Sequence, residues 1–253
     1  MGATFITPIE VTPGSAAAWT DVDVSGSIPS GATGVILHVI NTTVSPGDVG
    51  VRKNGSTDAR IHNIDNTGHC WAAIGVDASR IFEAYVESTT TIDVYLIGYF
   101  DGDAVFNTNA VDKSISATSA WTDVDIATDT GADTAIAAIL EIAQSAATQP
   151  WGFRKNGSTD ARTFTGNIHR WALIGVDGLE IFEHYITDIG TDIFLVGYLK
   201  AGAVLNTNAF DRSLGTTGSW LDLTALPSGA VGGVYEVIST AVTQNCGFRK
   251  NGS

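Results

Sequence analysis

Apolar and polar residues alternate with period two through most of this chain. In "AWTDVDV", from Ala18, Trp19, Asp21 and Asp23 fall on one face, and Thr20, Val22 and Val24 on the other. That is the pattern of a half-buried strand. "GVILHVI" from Gly34 and "DVYLIGYF" from Asp93 are nearly unbroken apolar runs bounded by Gly, Ser or Thr. Such runs predict central strands covered on both faces. No stretch sustains a useful helical period. "DASRIFEAYV" could fit a helical turn, but its Ile, Phe, Tyr and Val favour a strand. About seven or eight strands per copy, with turn signals every ~8–12 residues, predict an all-β fold of tandem antiparallel β-sandwiches, jelly-roll-like or Greek-key.

The strands repeat. "AWTDVD" at Ala18 returns at Ala120, "WAAIGVD" at Trp71 returns as "WALIGVD" at Trp171, and "DVYLIGYF" returns as "DIFLVGYL" at Asp192. "RIFEAYV" at Arg80 returns as "EIFEHYI" at Glu180, and "VFNTNAVDKS" at Val105 as "VLNTNAFDRS" at Val204. "IPSGATGVILHVI" at Ile28 matches "LPSGAVGGVYEVI" at Leu226. A period near 100 residues exceeds that of solenoids, so each copy is large enough to hold its own core. The expected domains are repeat one at 1–101, repeat two at 102–202 and an incomplete repeat three at 203–253. Copy three stops before the counterparts of its most apolar strands. The natural protein is therefore expected to be longer, or a neighbouring subunit to supply them.

One polar stretch is copied letter for letter: "RKNGSTDAR" at 52–60 and 154–162, with "RKNGS" at 249–253. Asn54-Gly55 is a strong hairpin signal, because a type I′ turn needs φ > 0 at both central residues. The expected tip faces Lys53 to Ser56 and sets Lys53 diagonal to Asp58. A well-made hairpin explains Asn-Gly. It explains the flanking charges less well, since exposed pairs contribute only ~0–1 kcal/mol. The other reading is a contact surface repeated in each copy, formed by Arg52, Lys53, Asn54, Asp58 and Arg60, and by Arg154, Lys155, Asn156, Asp160 and Arg162. Asn54, Asn156 and Asn251 also sit in Asn-Gly-Ser glycosylation patterns, but turn chemistry accounts for them.

Charge narrows the partners. The chain has 253 residues, a net charge of −14 and 44% apolar residues. An acidic surface does not neutralise phosphates, so neither nucleic acid nor an anionic membrane is an expected partner. No run approaches the ~20 apolar residues of a membrane helix. "MGATFITPIEVTPG" has no basic n-region and no apolar h-region, so synthesis in the cytoplasm without a signal peptide is expected. Cys70 and Cys246 occupy inequivalent repeat positions and read as isolated thiols.

Candidate chemistry is sparse. His69 and Trp71 recur as His169 and Trp171, and a His beside an exposed Trp could form a platform for a sugar; the competing reading is a core Trp with a rim His. His38 aligns with Glu141 and Glu236, so it is not a repeated ligand. Asp21 with Asp23 and Asp123 with Asp125 are weak calcium patterns, and Glu83 and Glu183 need a partner not visible in sequence. No catalytic motif, metal set or cofactor fingerprint stands out, so a non-enzymatic protein with no cofactor and no metal is expected.

The stretch "GVRKNGSTDAR…WAAIGVDASRIFEAYV…IDVYLIGYF" resembles tandem β-sandwich repeats of structural proteins of tailed phages. The resemblance implies a decoration or fibre role at a virion surface or in a similar large assembly. It also implies other subunits of that assembly as partners, a homo-oligomer and no cofactor. The alternative is an extracellular glycan-binding repeat protein whose partner is a surface glycan.

Overall fold

The computed structural model of the chain describes residues 2–145, 149–165, 169–215, 218–223, 226–238 and 246–248. The chain divides into two compact units, Met1–Asn208 and Ala209–Ser253. The first unit holds two jelly rolls.

In the first jelly roll, β1 (Ala3–Glu10), β8 (Ile92–Phe100), β3 (Gly34–Asn41) and β6 (His69–Gly75) form one sheet in that order. The second sheet runs β2 (Thr20–Asp23), β7 (Ile81–Val86), β4 (Gly47–Lys53), β5 (His62–Ile64). All pairings are antiparallel. An eight-stranded double sheet in this order is a jelly roll, which resolves the choice left open between jelly-roll and Greek-key sandwiches.

The second jelly roll repeats the order. β9 (Ala104–Asp112), β15 (Thr191–Leu199), β11 (Ala137–Gln144) and β13 (His169–Gly175) form one sheet. β10 (Trp121–Asp125), β14 (Ile181–Ile186) and β12 (Trp151–Lys155) form the other. An isolated bridge from Trp151 to Phe164 stands where β5 pairs in the first copy. A one-turn helix, α1 (Ala127–Thr130), follows β10.

The apolar runs are central strands, but their covering differs between copies. β3 alternates buried and half-buried residues, so only its inner face is covered. Every residue of β11 is buried. Two-sided burial was expected of β3 and β8, and both instead alternate; it occurs in β11, where the first jelly roll packs on the outer face of the second. Ala137, Ile139 and Val196 of the second copy belong to the same apolar cluster as Leu37, Phe82 and Leu96 of the first.

Copy three departs from expectation. No described residue of Ala209–Ser253 lies in a strand or helix. Val234 and Ile238, in the predicted strand "GVYEVI", are exposed. In the first copy the matching strand β3 is flanked by β6 and β8, and the 253 residues contain no counterpart of either for copy three. A central strand without ladder neighbours leaves its backbone groups to solvent.

One core residue yields a prediction. His184 on β14 takes the position of Ala84 on β7, is fully buried, and stacks on Phe153 with centroids 4.5 Å apart. Neither ring nitrogen has a hydrogen-bond partner among the described residues. Burial pushes its pKa down to about 3 from 6.5. The unfolded chain takes up this proton near pH 6.5 and the folded chain only near 3, so stability falls as pH drops through that window. His184→Leu is expected to raise stability by about 1–3 kcal/mol at pH 5, since it removes two unpaired buried polar atoms. The gain should shrink toward pH 8, as chemical denaturation at the two pH values would show.

Candidate functional site: the seam between repeats

The copied tip forms its first contacts inside its own jelly roll. Arg52 leaves β4 beside β7, where it is the register partner of Glu83. Its guanidinium donates through Nε and Nη2 to both Glu83 oxygens at 3.0 and 2.9 Å. It lies 4.2 Å over the Trp19 ring and also donates to the Asp58 carbonyl. Arg154 repeats all of this with Glu183, Trp121 and the Asp160 carbonyl. The partner missing for Glu83 and Glu183 is therefore the first arginine of the tip. Asn54 and Asn156 donate to Asp77 and Asp177 at 2.8 and 2.7 Å. These aspartates also accept the backbone N–H groups of the following turns. Burial would raise the carboxyls of Asp77 and Asp177, but these hydrogen bonds hold them below the ordinary range.

The turn itself differs from expectation. Gly55 and Gly157 have φ near +79°, but Asn54 and Asn156 are not among the positive-φ residues. With Ser56 N–H donating to the Lys53 carbonyl at 3.0 Å, this is the type II pattern, in which only the third residue needs φ > 0. No ladder follows it: residues 57–61 are not in a strand, and β5 pairs instead with the start of β4. Lys53 and Asp58 are not bonded to each other; each reaches the next copy.

Lys53 Nζ donates to the Phe106 carbonyl at 3.0 Å. Ser56 Oγ and Thr57 N–H donate to Asn109 Oδ1 at 3.0 and 2.8 Å. Ala110 N–H donates to Asp58 Oδ2 at 2.8 Å. Phe106, Asn109 and Ala110 belong to β9, the first strand of copy two. The second tip holds the start of copy three in the same way: Lys155 reaches the Leu205 carbonyl at 3.5 Å, and Ser158 and Thr159 N–H reach Asn208 Oδ1 at 2.8 and 2.9 Å. Glycines admit the incoming side chains. A Cβ on Gly75 would meet Phe106 Cβ at 2.5 Å, and one on Gly175 would meet Leu205 Cβ at 2.7 Å.

The last arginine of the first tip crosses further. Arg60 lies 4.2 Å over the Phe194 ring and donates to Glu141 Oε2, with the closest approach 2.6 Å. Glu141 also bonds His169 Nε2 at 2.6 Å, while His169 Nδ1 lies 3.1 Å from the Val49 carbonyl of copy one. Both Glu141 and His169 are buried, at 0% and 1% exposure. Burial alone would raise the Glu141 carboxyl; the His169 hydrogen bond and the Arg60 charge hold it below the ordinary carboxylate range. In copy two Arg162 pairs with Asp160 at 2.9 Å. The third tip, at 249–253 and including Asn251, lies outside the described residues.

The two His–Trp pairs part company. His169 is inside the seam, and Trp171 is half-buried with its Nε1 enclosed, so copy two presents no sugar platform. His69 and Trp71 are both exposed on the outer face of β6. His38 stacks on Trp71 in parallel at 4.8 Å and bonds His69 at 2.8 Å. The calcium patterns serve as turn caps: Asp23 accepts Ser25 N–H and Asp125 accepts Ala127 N–H, each at 2.8 Å.

No protein-family model matches the chain, and no curated protein matches it. Among solved structures it is similar to the N-terminal CBM22-1–CBM22-2 tandem domain of Paenibacillus barcinonensis Xyn10C. That similarity covers 79% of this chain and 94% of the other at 8% identity and a TM-score of 0.21, a level that carries no functional argument.

Proposed function

We propose that this chain is a non-enzymatic structural segment, a string of jelly rolls in which each tip locks the start of the next copy. The observation that supports this best is the equivalence of Asn109 and Asn208. They are held by the same serine and threonine of successive tips, with distances that agree within 0.2 Å. A joint that recurs once per copy can extend a protein indefinitely without new chemistry. Such a string suits a fibre or decoration component of a virion or similar large assembly, in keeping with the resemblance to tailed-phage proteins. The letters copied between repeats are then an internal joint, and subunit contacts fall elsewhere.

Antibody-labelled electron microscopy of the assembly that carries the protein tests this reading. Label at regular positions on a fibre or shell is expected. Label confined to unassembled protein would count against it.

A second reading, glycan binding, is favoured by one observation: Trp71 and His69 stand exposed in copy one, while His169 of copy two is buried.

A further inference from the structure

We propose that the outer face of the first jelly roll, at the row Trp71–His38–Tyr95 with His69 beside it, binds an uncharged sugar ring. This rests on the glycan-binding reading and gives it a site and a ligand class.

The row is defined by register. Tyr95 on β8 and Trp71 on β6 both pair with His38 on β3, and Glu10 on β1 pairs with Tyr95. All four side chains point away from the core, since the inward residues of these strands are Val39, Val94 and Cys70. The same row in copy two is Asp112–Phe194–Glu141–Trp171. There it already works as a binding face. The flat guanidinium of Arg60 rests on the Phe194 ring and donates at its rim to Glu141. An aromatic floor with a polar acceptor at its edge is thus a property of this sheet position.

Copy one keeps the floor and changes the rim. Tyr95 replaces Phe194 and adds a hydroxyl; His38 replaces Glu141 and removes the fixed charge. An arginine tip would lose its counter-ion here, so a second copy of the joint is a poor occupant. Burial, then the neighbouring His69, lowers the His38 pKa to about 4, so the ring is neutral at ordinary pH. His38 Nε2 is taken by His69, so its ring offers its other nitrogen, while the Tyr95 phenol both donates and accepts. Hydroxyl groups around an apolar ring face match that set, with C–H groups against the aromatic surface. Trp71 is 40% exposed at the sheet edge. Glu10 and Asp93 stand at the border of the face, and with a net charge of −14 they disfavour anionic sugars. The nearby cleft between the copies, lined in part by Asp65, His69 and Arg170, measures only about 60 Å³, so a ring must sit on the open face.

The test is a glycan array probed with the full chain, followed by titration of any hit against Trp71→Ala and Trp71→Phe. Binding to neutral glycans, weakened at least tenfold by Trp71→Ala and largely kept by Trp71→Phe, is expected. Tyr95→Phe, which removes one hydroxyl, serves if Trp71→Ala fails to fold, and should weaken binding measurably. Binding that neither variant alters would overturn the site while leaving the glycan reading intact. Binding restricted to sialylated or sulfated glycans would overturn the ligand class. No glycan binding at all would sink the proposal and the reading beneath it.

Discussion

Arg60→Ala is expected to destabilise the Met1–Asn208 unit by about 3–5 kcal/mol, because it strands a buried charge. The Glu141 side chain is only 1% exposed, and Arg60 is one of its two partners. The pair Arg60→Leu with Glu141→Leu should recover part of that loss, since no buried charge is left unpaired, although His169 Nε2 loses its Glu141 partner. Acid should mimic the single variant. The folded carboxyl sits below its unfolded value, so its contribution is full above the unfolded carboxylate range and is lost as pH falls through the folded value. Urea midpoints measured for the three proteins decide the matter. A loss under 1 kcal/mol for Arg60→Ala would mean that the ion pair behaves as an exposed surface pair.

Phe106→Ala is expected to cost a similar amount, about 3–5 kcal/mol, and to uncouple the two jelly rolls. Phe106 lies on β9 of copy two but is buried in the apolar cluster of copy one, 5.4 Å from Phe100. It fills space left by glycines: a Cβ on Gly34 would come within 2.3 Å of its ring, and one on Gly75 within 2.5 Å of its own Cβ. Removing the ring takes the largest side chain of β9 out of the seam and leaves it to the polar contacts of the tip, the Arg60–Glu141 pair and the smaller apolar residues Ala137, Ile139 and Val196. Calorimetry should then replace one coupled transition with two. A single transition that only moves to lower temperature would show that Phe106 supports the core without joining the copies.

The strands and their β-sandwich class were legible because period-two patterning and repeat spacing report directly on the sheet, whereas the jelly-roll order came only with the pairings. The tip was legible as a site and not as a mechanism. Arg52, Glu83 and Trp19 recur together in both copies, yet they lie far apart in sequence, and a single chain gives no sign that they meet. The segment "NTNA" stood out only as part of a repeated stretch, although Asn109 and Asn208 are the residues that the tips grip. A sharper reading was available in the arrangement of charges. Glu141 holds the position where copy one has His38, and Glu141 receives Arg60 of the preceding tip. What sequence could not show is that β11 would be covered on its outer face by the preceding copy. That burial separates His169 from His69 although their local motifs agree.

The central claim is that the tip fixes one jelly roll against the next, and a distance distribution tests it most directly. Spin labels at Val44→Cys and Leu179→Cys, at sites 84% and 72% exposed, report one on each copy. Cys246 would be changed to Ser. Cys70 can stay, since it is buried and its thiol is pushed up to about 12 by burial. Pulsed electron spin resonance should give one narrow peak, no wider than that of a pair within copy two, at Leu179→Cys and Ile189→Cys. Phe106→Ala should broaden it. A broad distribution in the otherwise unaltered chain would contradict the account, because the copies would then be joined by a tether and not locked by a tip.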